Sequence, residues 1–414
     1  MSANKITYAS IVPLIGGESI GVMQALDGQL PEYILSYSPF AANDSHYLNY
    51  LRTKKNWDGE YAVIDDPAYE NYVPKQVDVV NSVCPCAGLS SLSVTSSADN
   101  PTNEWLYTTA EYVLSKVKPK VFWGENAPRL FSSVGKKVAD KLFEIGQKYG
   151  YSLNLYYTES QIHGLCQKRP RTFYFFTQSK TAPIFPRWKR DLVPVETLLK
   201  KKTNKTDLMN VPVNTKDPIE NAWVAYAVHK TGAGDVKGLY EKFESTINLI
   251  VAADKTLGET LPQVADWMDA QGREDFSHIA KRARAMQDKL DDNKGYWAHG
   301  VTLAKGVIPP LIGAMPSSLI NPFTGQFLTL RDCLRIMGMP EDFNLHDENP
   351  VRVTNHCCQN VPVQTAADMM AGIMEYLEGK CDLSETPYLK QSNKNGQISS
   401  GLPEVKSTLS GFFK

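Results

Sequence analysis

Pro85 and Cys86, with Cys84 one residue earlier, are the first residues in this chain whose types and spacing could do chemistry. They close an apolar run in NSVCPCAGLS (81–90) and are followed by small residues. A thiolate is the strongest common side-chain nucleophile and can add to an electron-poor pyrimidine carbon. Such an addition needs an acid to relieve negative charge on the ring and donors to fix a carbonyl oxygen. Glu125, in GENAP, is a candidate for the acid, and Arg169 and Arg171, in QKRPR, for the donors.

The other uses of cysteine fit less well. Seven cysteines (84, 86, 166, 333, 357, 358 and 381) are an odd number, and MSANKITYAS lacks the pattern of an export signal. Reduced thiols in a cytoplasmic setting are expected. Neither Cys84 with Cys86 nor Cys357 with Cys358 has the spacing of a zinc site, so no metal is expected. Cys84, Cys166, Cys333 and Cys381 are expected to be packing residues.

The elements that must position these groups are strands and amphipathic helices in alternation. DVVNSV (78–83), KVFWG (120–124), SLNLYY (152–157) and RTFYFF (171–176) are rich in β-branched and aromatic residues and predict strands. WLYTTAEYVLSKV (105–117) and VGKKVADKLFEIGQKYG (134–150) predict helices, the second closed by Gly150. Such alternation predicts an α/β fold, a doubly wound and mostly parallel sheet covered by helices. Ligands of these folds bind beyond the carboxyl ends of the strands, where Cys86 and Glu125 would converge.

At 414 residues, with 42% hydrophobic and 21% charged residues, the chain can hold two domains. The expected division is a catalytic domain over 1–180 plus 355–385, a smaller domain over 181–354, and a loose polar tail over 386–414. TAADMMAGIMEYLEGK (365–380) predicts a helix capped at Thr365 and Asp368. No run of eighteen apolar residues predicts a membrane span. A net charge of −1 does not announce nucleic acid, and the basic runs LLKKKTNK (198–205) and KRARAMQDK (281–289) have the composition of solvated helix faces.

Taken together, Pro85-Cys86, Glu125-Asn126 and Gln167-x-Arg169-x-Arg171, in this order and spacing, resemble the cytosine-C5 DNA methyltransferases. IGGESIG (15–21) resembles that family's glycine-rich cofactor loop. FLTLRDCLRIMGMPEDF (327–343) and QNVPVQTAADMMAGI (359–373) resemble its late motifs. The resemblance covers residues 8 to 377 and leaves a variable middle where the family keeps its target-recognition region. It implies a Rossmann-like, class I methyltransferase fold, S-adenosylmethionine as cofactor, and double-stranded DNA as partner. It further implies a monomer at work in the cytoplasm of a bacterial or phage-infected cell. Carried over, Cys86 would add to C6 of a flipped-out cytosine and Glu125 would contact N3 and the exocyclic amine. Arg171 would hold O2, and Arg169 would help to orient the loop. Base reading is expected between 293 and 330.

The departures cluster around the cofactor. Val12 stands where the family has a Phe that packs on adenine, and Leu14 where its loop has the first glycine, before Ile15, Gly16 and Gly17. Tyr37 or Ser38 stands where a Glu binds the ribose. Asp65, Pro85, Leu106 and Asn360 fall at cofactor-contact positions. Three readings follow: a divergent methyltransferase using S-adenosylmethionine, a transferase with a modified donor, or a catalytically silent nucleic-acid-binding relative. From a different class, a cysteine hydrolase would pair Cys86 with His163 or His356.

Overall fold

The computed structural model describes residues 5–90, 96–201, 208–292, 300–313, 315–345 and 350–402. They form two compact units. The first holds the chain up to His163, Pro170–Asp191 and everything from Val361, and the second holds Gly164–Arg169 and Leu192–Asn360.

The first unit is built on a nine-stranded sheet. Its strands are β1 (Tyr8–Ile11), β2 (Tyr33–Ser36), β3 (Glu60–Val63), β4 (Val79–Ser82), β5 (Val121–Asn126), β6 (Ser152–Glu159), β7 (Pro170–Thr177), β8 (Tyr388–Ser392) and β9 (Ile398–Ser400). Their order is β9-β8-β6-β7-β5-β4-β1-β2-β3. Five pairings are parallel, and β7 runs antiparallel to both β5 and β6, as β9 does to β8. Five helices flank the sheet: α1 (Gly17–Ala25), α2 (Ala41–Lys54), α3 (Glu104–Tyr112), α4 (Lys136–Lys148) and α5 (Val363–Leu377).

Period-two alternation explains why the sheet is covered on both faces. Val80, Phe122, Tyr174 and Phe176 join one core with Leu106 and Ala110 of α3 and Leu142 of α4. Their neighbours Val79, Trp123, Phe173 and Phe175 join another with Val22 of α1 and Met370 and Ile373 of α5. Successive side chains of a strand point to opposite faces, so near-continuous apolar strands require helices on each side. This is the doubly wound α/β fold, with strand order reversing between β1 and β4.

Two expectations are corrected here. Helix α5 starts at Val363 after Pro362, so Thr365 and Asp368 lie within it and do not cap it. Proline at a helix start presets the backbone, and Asp368 instead accepts from His163 Nδ1 at 2.8 Å and Arg190 NH2 at 2.7 Å. The supposed loose tail begins with β8, which pairs with β6 along its length. Its polar residues are buried hydrogen-bonders: Gln391 Oε1 accepts from Phe185 N at 3.1 Å, and Asn393 Oδ1 from Trp188 N at 3.0 Å.

The second unit has a four-stranded sheet of Ile247–Asn248, Thr302–Leu303, Leu319–Asn321 and Gln326–Phe327. Its core gathers Trp223, Leu239, Leu261, Met268 and Phe276 from helices Ala222–Thr231, Val236–Lys242, Leu261–Ala270 and Glu274–Asp291. In the basic run of the last helix, Arg284 is engaged by Asp266 at 2.6 Å and Asp269 at 2.9 Å. Residues 202–205 of the other basic run and 293–299 and 314 of the expected base-reading segment lie outside the described residues.

Candidate active site

Strand β4 leads directly into the cysteine pair. Cys84 turns into the core with 2% exposure, its Sγ 3.3 Å from Ser82 Oγ and 3.4 Å from Thr109 Oγ1. Burial pushes its thiol pKa up, and these hydrogen bonds only partly oppose that shift. Cys86 is half-buried and precedes a single helical turn, Ala87–Leu89, whose Leu89 N–H donates to Cys86 O at 3.1 Å. Gly88 is required there, because a Cβ would lie 2.2 Å from Asn103 Oδ1. All seven cysteines are thiols, with Cys166 and Cys333 buried and Cys381 half-buried.

Strand β5 brings the acid to the same edge. It extends two residues beyond the expected strand, so Glu125 and Asn126 are its last two residues. The parallel register pairs Ser82 of β4 with Gly124 of β5. A Cβ on Gly124 would sit 2.1 Å from Ser82 O and 2.4 Å from the Tyr174 hydroxyl, so glycine permits this approach. Cys86 follows Ser82 and Glu125 follows Gly124, which sets both at the carboxyl edge of the sheet. Arg171, near the start of β7, ion-pairs through Nε with Glu125 Oε1. Asn126 Oδ1 accepts from Ala127 N at 2.8 Å and fixes the turn that follows.

A further carboxyl group, which the sequence reading leaves without a role, lies behind this edge. Glu18 of α1 is fully buried and accepts at Oε1 from Asn81 Nδ2, 3.1 Å away. Burial pushes its pKa well above the usual carboxylate range, the Asn81 hydrogen bond opposes this, and the charge of Glu125 adds to it.

The loop Val12–Gly17 joins β1 to α1. Val12 has φ +50°, Leu14 φ +54° and Gly16 φ +88°. Left-handed backbone is uncommon for Leu and an outlier for β-branched Val. Ile15 is buried, and Gly17 opens α1. The Leu14 N–H donates to Asp44 Oδ1 at 3.1 Å.

The remaining cofactor candidates divide. The Tyr37 hydroxyl is buried and accepts from Thr109 Oγ1 at 3.3 Å, while its ring lies 4.9 Å from that of Trp105. Asp65 is exposed and accepts from the Ser38 N–H at 2.7 Å and the Ser38 hydroxyl at 3.0 Å. Pro85 is half-buried beside Cys86, and Leu106 is a core residue. Half-buried Phe40 and Trp105 meet edge to face with centroids 5.0 Å apart. Arg169 and Asn360 belong to the second unit, where Arg169 donates to Leu311 O at 2.9 Å and Asn360 O at 3.1 Å. Gly164–Arg169 joins that unit through backbone pairing, Lys168 N donating to Ile308 O at 2.9 Å and Ile308 N to Cys166 O at 2.8 Å. The Asn360 amide donates to Met339 Sδ at 3.2 Å.

The hydrolase pairing of Cys86 with His163 is not formed. His163 is fully buried with Nδ1 on Asp368 at 2.8 Å and Nε2 on Thr158 Oγ1 at 2.7 Å, so both ring nitrogens are committed away from Cys86. His356 lies in the second unit.

Comparison with known proteins bears on the family and the fold. The family model described as C-5 cytosine-specific DNA methylase matches residues 15–375. A putative DNA modification methyltransferase encoded within an Escherichia coli prophage is similar in structure, with TM-score 0.53 and 15% identity over 90% of this chain and 99% of that one. The Entamoeba histolytica methyltransferase EhMeth is similar with TM-score 0.53 and 9% identity, over 91% of this chain and 99% of that one. Among curated protein sequences, none matches. At such identities the structural likeness speaks for the fold alone.

Proposed function

From the premise that this chain belongs to the C-5 cytosine-specific DNA methylase family, we propose that it methylates C5 of cytosine in double-stranded DNA through a covalent Cys86 adduct. The observation that carries the reading is the Ser82–Gly124 register, which sets Cys86 and the Glu125–Arg171 ion pair at one sheet edge. The Cys86 thiolate forms the S–C6 bond, electrons of the C5–C6 double bond move toward C5 and N3, and a proton taken up from solvent is relayed to N3 through the Glu125 carboxylate. Arg171 offers donors to O2 and holds Glu125 in place. Glu18 lies behind this edge, where burial raises its pKa and disfavours a second anion beside Glu125. Once C5 carries the methyl group that S-adenosylmethionine would supply, loss of the C5 proton to solvent re-forms the C5–C6 double bond as the S–C6 bond breaks. The N3 proton returns through Glu125. The base must leave the duplex first, at about a few kcal/mol of lost stacking and pairing.

S-adenosylmethionine would supply the methyl group. The residues present fit an adenosine-bearing donor, by a different set from the one the family uses. Val12 offers no ring, but Phe40 and Trp105 form a half-buried aromatic wall. Asp65 and Ser38 supply exposed polar atoms after β3 and β2, whereas the Tyr37 hydroxyl is already bound to Thr109. The second unit, lying in sequence between the arginine motif and the closing motif, serves in this reading as the part that reads the duplex. A monomer acting where the DNA of a bacterial or phage-infected cell lies completes the proposal.

The test is nucleoside mass spectrometry of DNA from cells expressing the protein or its Cys86→Ala variant. A Cys86-dependent gain of one methyl group on deoxycytidine is the expected result. A heavier Cys86-dependent adduct would replace the donor in this reading, and product without Cys86 would sink the mechanism.

A further inference from the structure

Helix α2 carries a buried acid whose two oxygens face different elements. Asp44 Oδ1 accepts from the Leu14 N–H at 3.1 Å, and Oδ2 from the hydroxyl of Tyr61 on β3 at 3.2 Å. Tyr47 follows three residues later on the same face of α2. Its ring occupies the place a side chain on Gly16 would need, 2.3 Å from that Cβ position. Two further amides of the loop are tied elsewhere, Val12 N to Leu35 O and Gly16 N to Pro13 O, both at 2.9 Å. Between these ties lie Val12 and Leu14, two residues with side chains that disfavour the left-handed backbone they adopt. Such conformations persist only where the surroundings over-determine them.

We propose that Asp44, with Tyr47 and Tyr61, is the positioning device of the donor loop, holding Leu14 in a conformation that glycine would adopt unaided. This rests on the reading above that Val12–Gly17 binds S-adenosylmethionine. A loop with glycine at position 14 would need no such clamp, since glycine enters the left-handed region without steric cost. The chain keeps the backbone shape while replacing its usual cause, and the buried carboxylate supplies the substitute.

The experiment is a double-mutant cycle of Asp44→Ala and Leu14→Gly. It is read by calorimetric titration with S-adenosylmethionine and with S-adenosylhomocysteine, alongside the thermal midpoint of each variant. Asp44→Ala alone should weaken both affinities by about tenfold or more, as expected when a buried hydrogen-bond acceptor is lost. In the Leu14→Gly background the same substitution should change affinity by no more than about twofold, since the strained partner is gone. A structural role without positioning would give equal affinity losses in both backgrounds and would overturn the proposal. Should Asp44→Ala fail to fold, Tyr61→Phe removes only the hydroxyl that holds Oδ2, and the same cycle is run with it. Wild-type protein that binds neither probe would refute the donor reading itself. Wild type that binds them without coupling between positions 44 and 14 would refute the clamp alone.

Discussion

Arg171 and Glu125 form an ion pair across the antiparallel β5–β7 ladder, with side chains only 15% and 3% exposed. Removing one partner of a buried pair leaves the other uncompensated and costs about 3–5 kcal/mol. Arg171→Ala should therefore lower stability by about 3 kcal/mol and reduce turnover by at least about a hundredfold. Arg171→Lys should regain more stability than turnover, because an ammonium lacks the planar fork of donors. Urea unfolding and single-turnover assays on both variants check this. Equal recovery of both quantities by lysine would show that the arginine acts only as a structural charge.

The two neighbouring cysteines differ in access, and this difference is measurable. Cys84 is buried with its thiol pKa raised, whereas Cys86 is half-buried and followed by exposed Ala87. Thiolate character and exposure together govern alkylation. Brief iodoacetamide treatment followed by peptide mass spectrometry should modify Cys86 before Cys84, and inactivation should follow Cys86 modification alone. Cys84→Ala should keep turnover and lose only packing. Faster labelling of Cys84 would reverse the assignment of nucleophile.

Four strands of the first unit were legible because apolar and aromatic residues mark them, and β4, β5, β6 and β7 fall within two residues of the expected ranges. The Pro85-Cys86 and Glu125-Asn126 dipeptides needed only strand ends to be placed. Buried polar groups were not legible. Asp44 and Glu18 have the composition of surface acids, and only the three-dimensional neighbours of each show why burial is tolerated. The same blindness hid β8, where Gln391 and Asn393 suggested solvent but serve as internal hydrogen-bonders. Arg169 was expected to help orient the loop, and backbone pairing of Gly164–Arg169 groups it with the second unit.

Asp44 also makes a prediction in pH. Burial raises its pKa to about 7, with hydrogen bonds from Ser36, Tyr61 and the Leu14 amide opposing the shift. An unfolded aspartate titrates near about 3.9. The folded state thus binds the extra proton, so its stabilising effect is complete below about pH 4 and is lost as pH rises through about 7. Wild-type protein should lose up to a few kcal/mol relative to Asp44→Asn between pH 5 and pH 8. Urea midpoints of both proteins at the two pH values provide the measurement. A constant difference would mean that Asp44 does not titrate in this window.

The terminal strands give the last prediction. β8 lies parallel to β6 over five register pairs, and Tyr388, 2% exposed, stacks on Phe143 with ring centroids 4.9 Å apart. Stopping the chain after Glu385 would strip β6 of this neighbour and leave a long buried strand as an open edge, a ready template for aggregation. The hydrogen bonds that Gln391 and Asn393 make to Phe185 and Trp188 would be lost with it. Truncation should therefore give insoluble protein or a much lower thermal midpoint. Tyr388→Ala should give soluble protein destabilised by about 3 kcal/mol, the usual cost of emptying a buried aromatic site. Calorimetry of the point variant and a solubility assay of the truncation separate the two effects. A truncated chain that stays soluble with an unchanged midpoint would mean that β8 adds nothing to the sheet, and the segment would then be the loose tail its composition suggests.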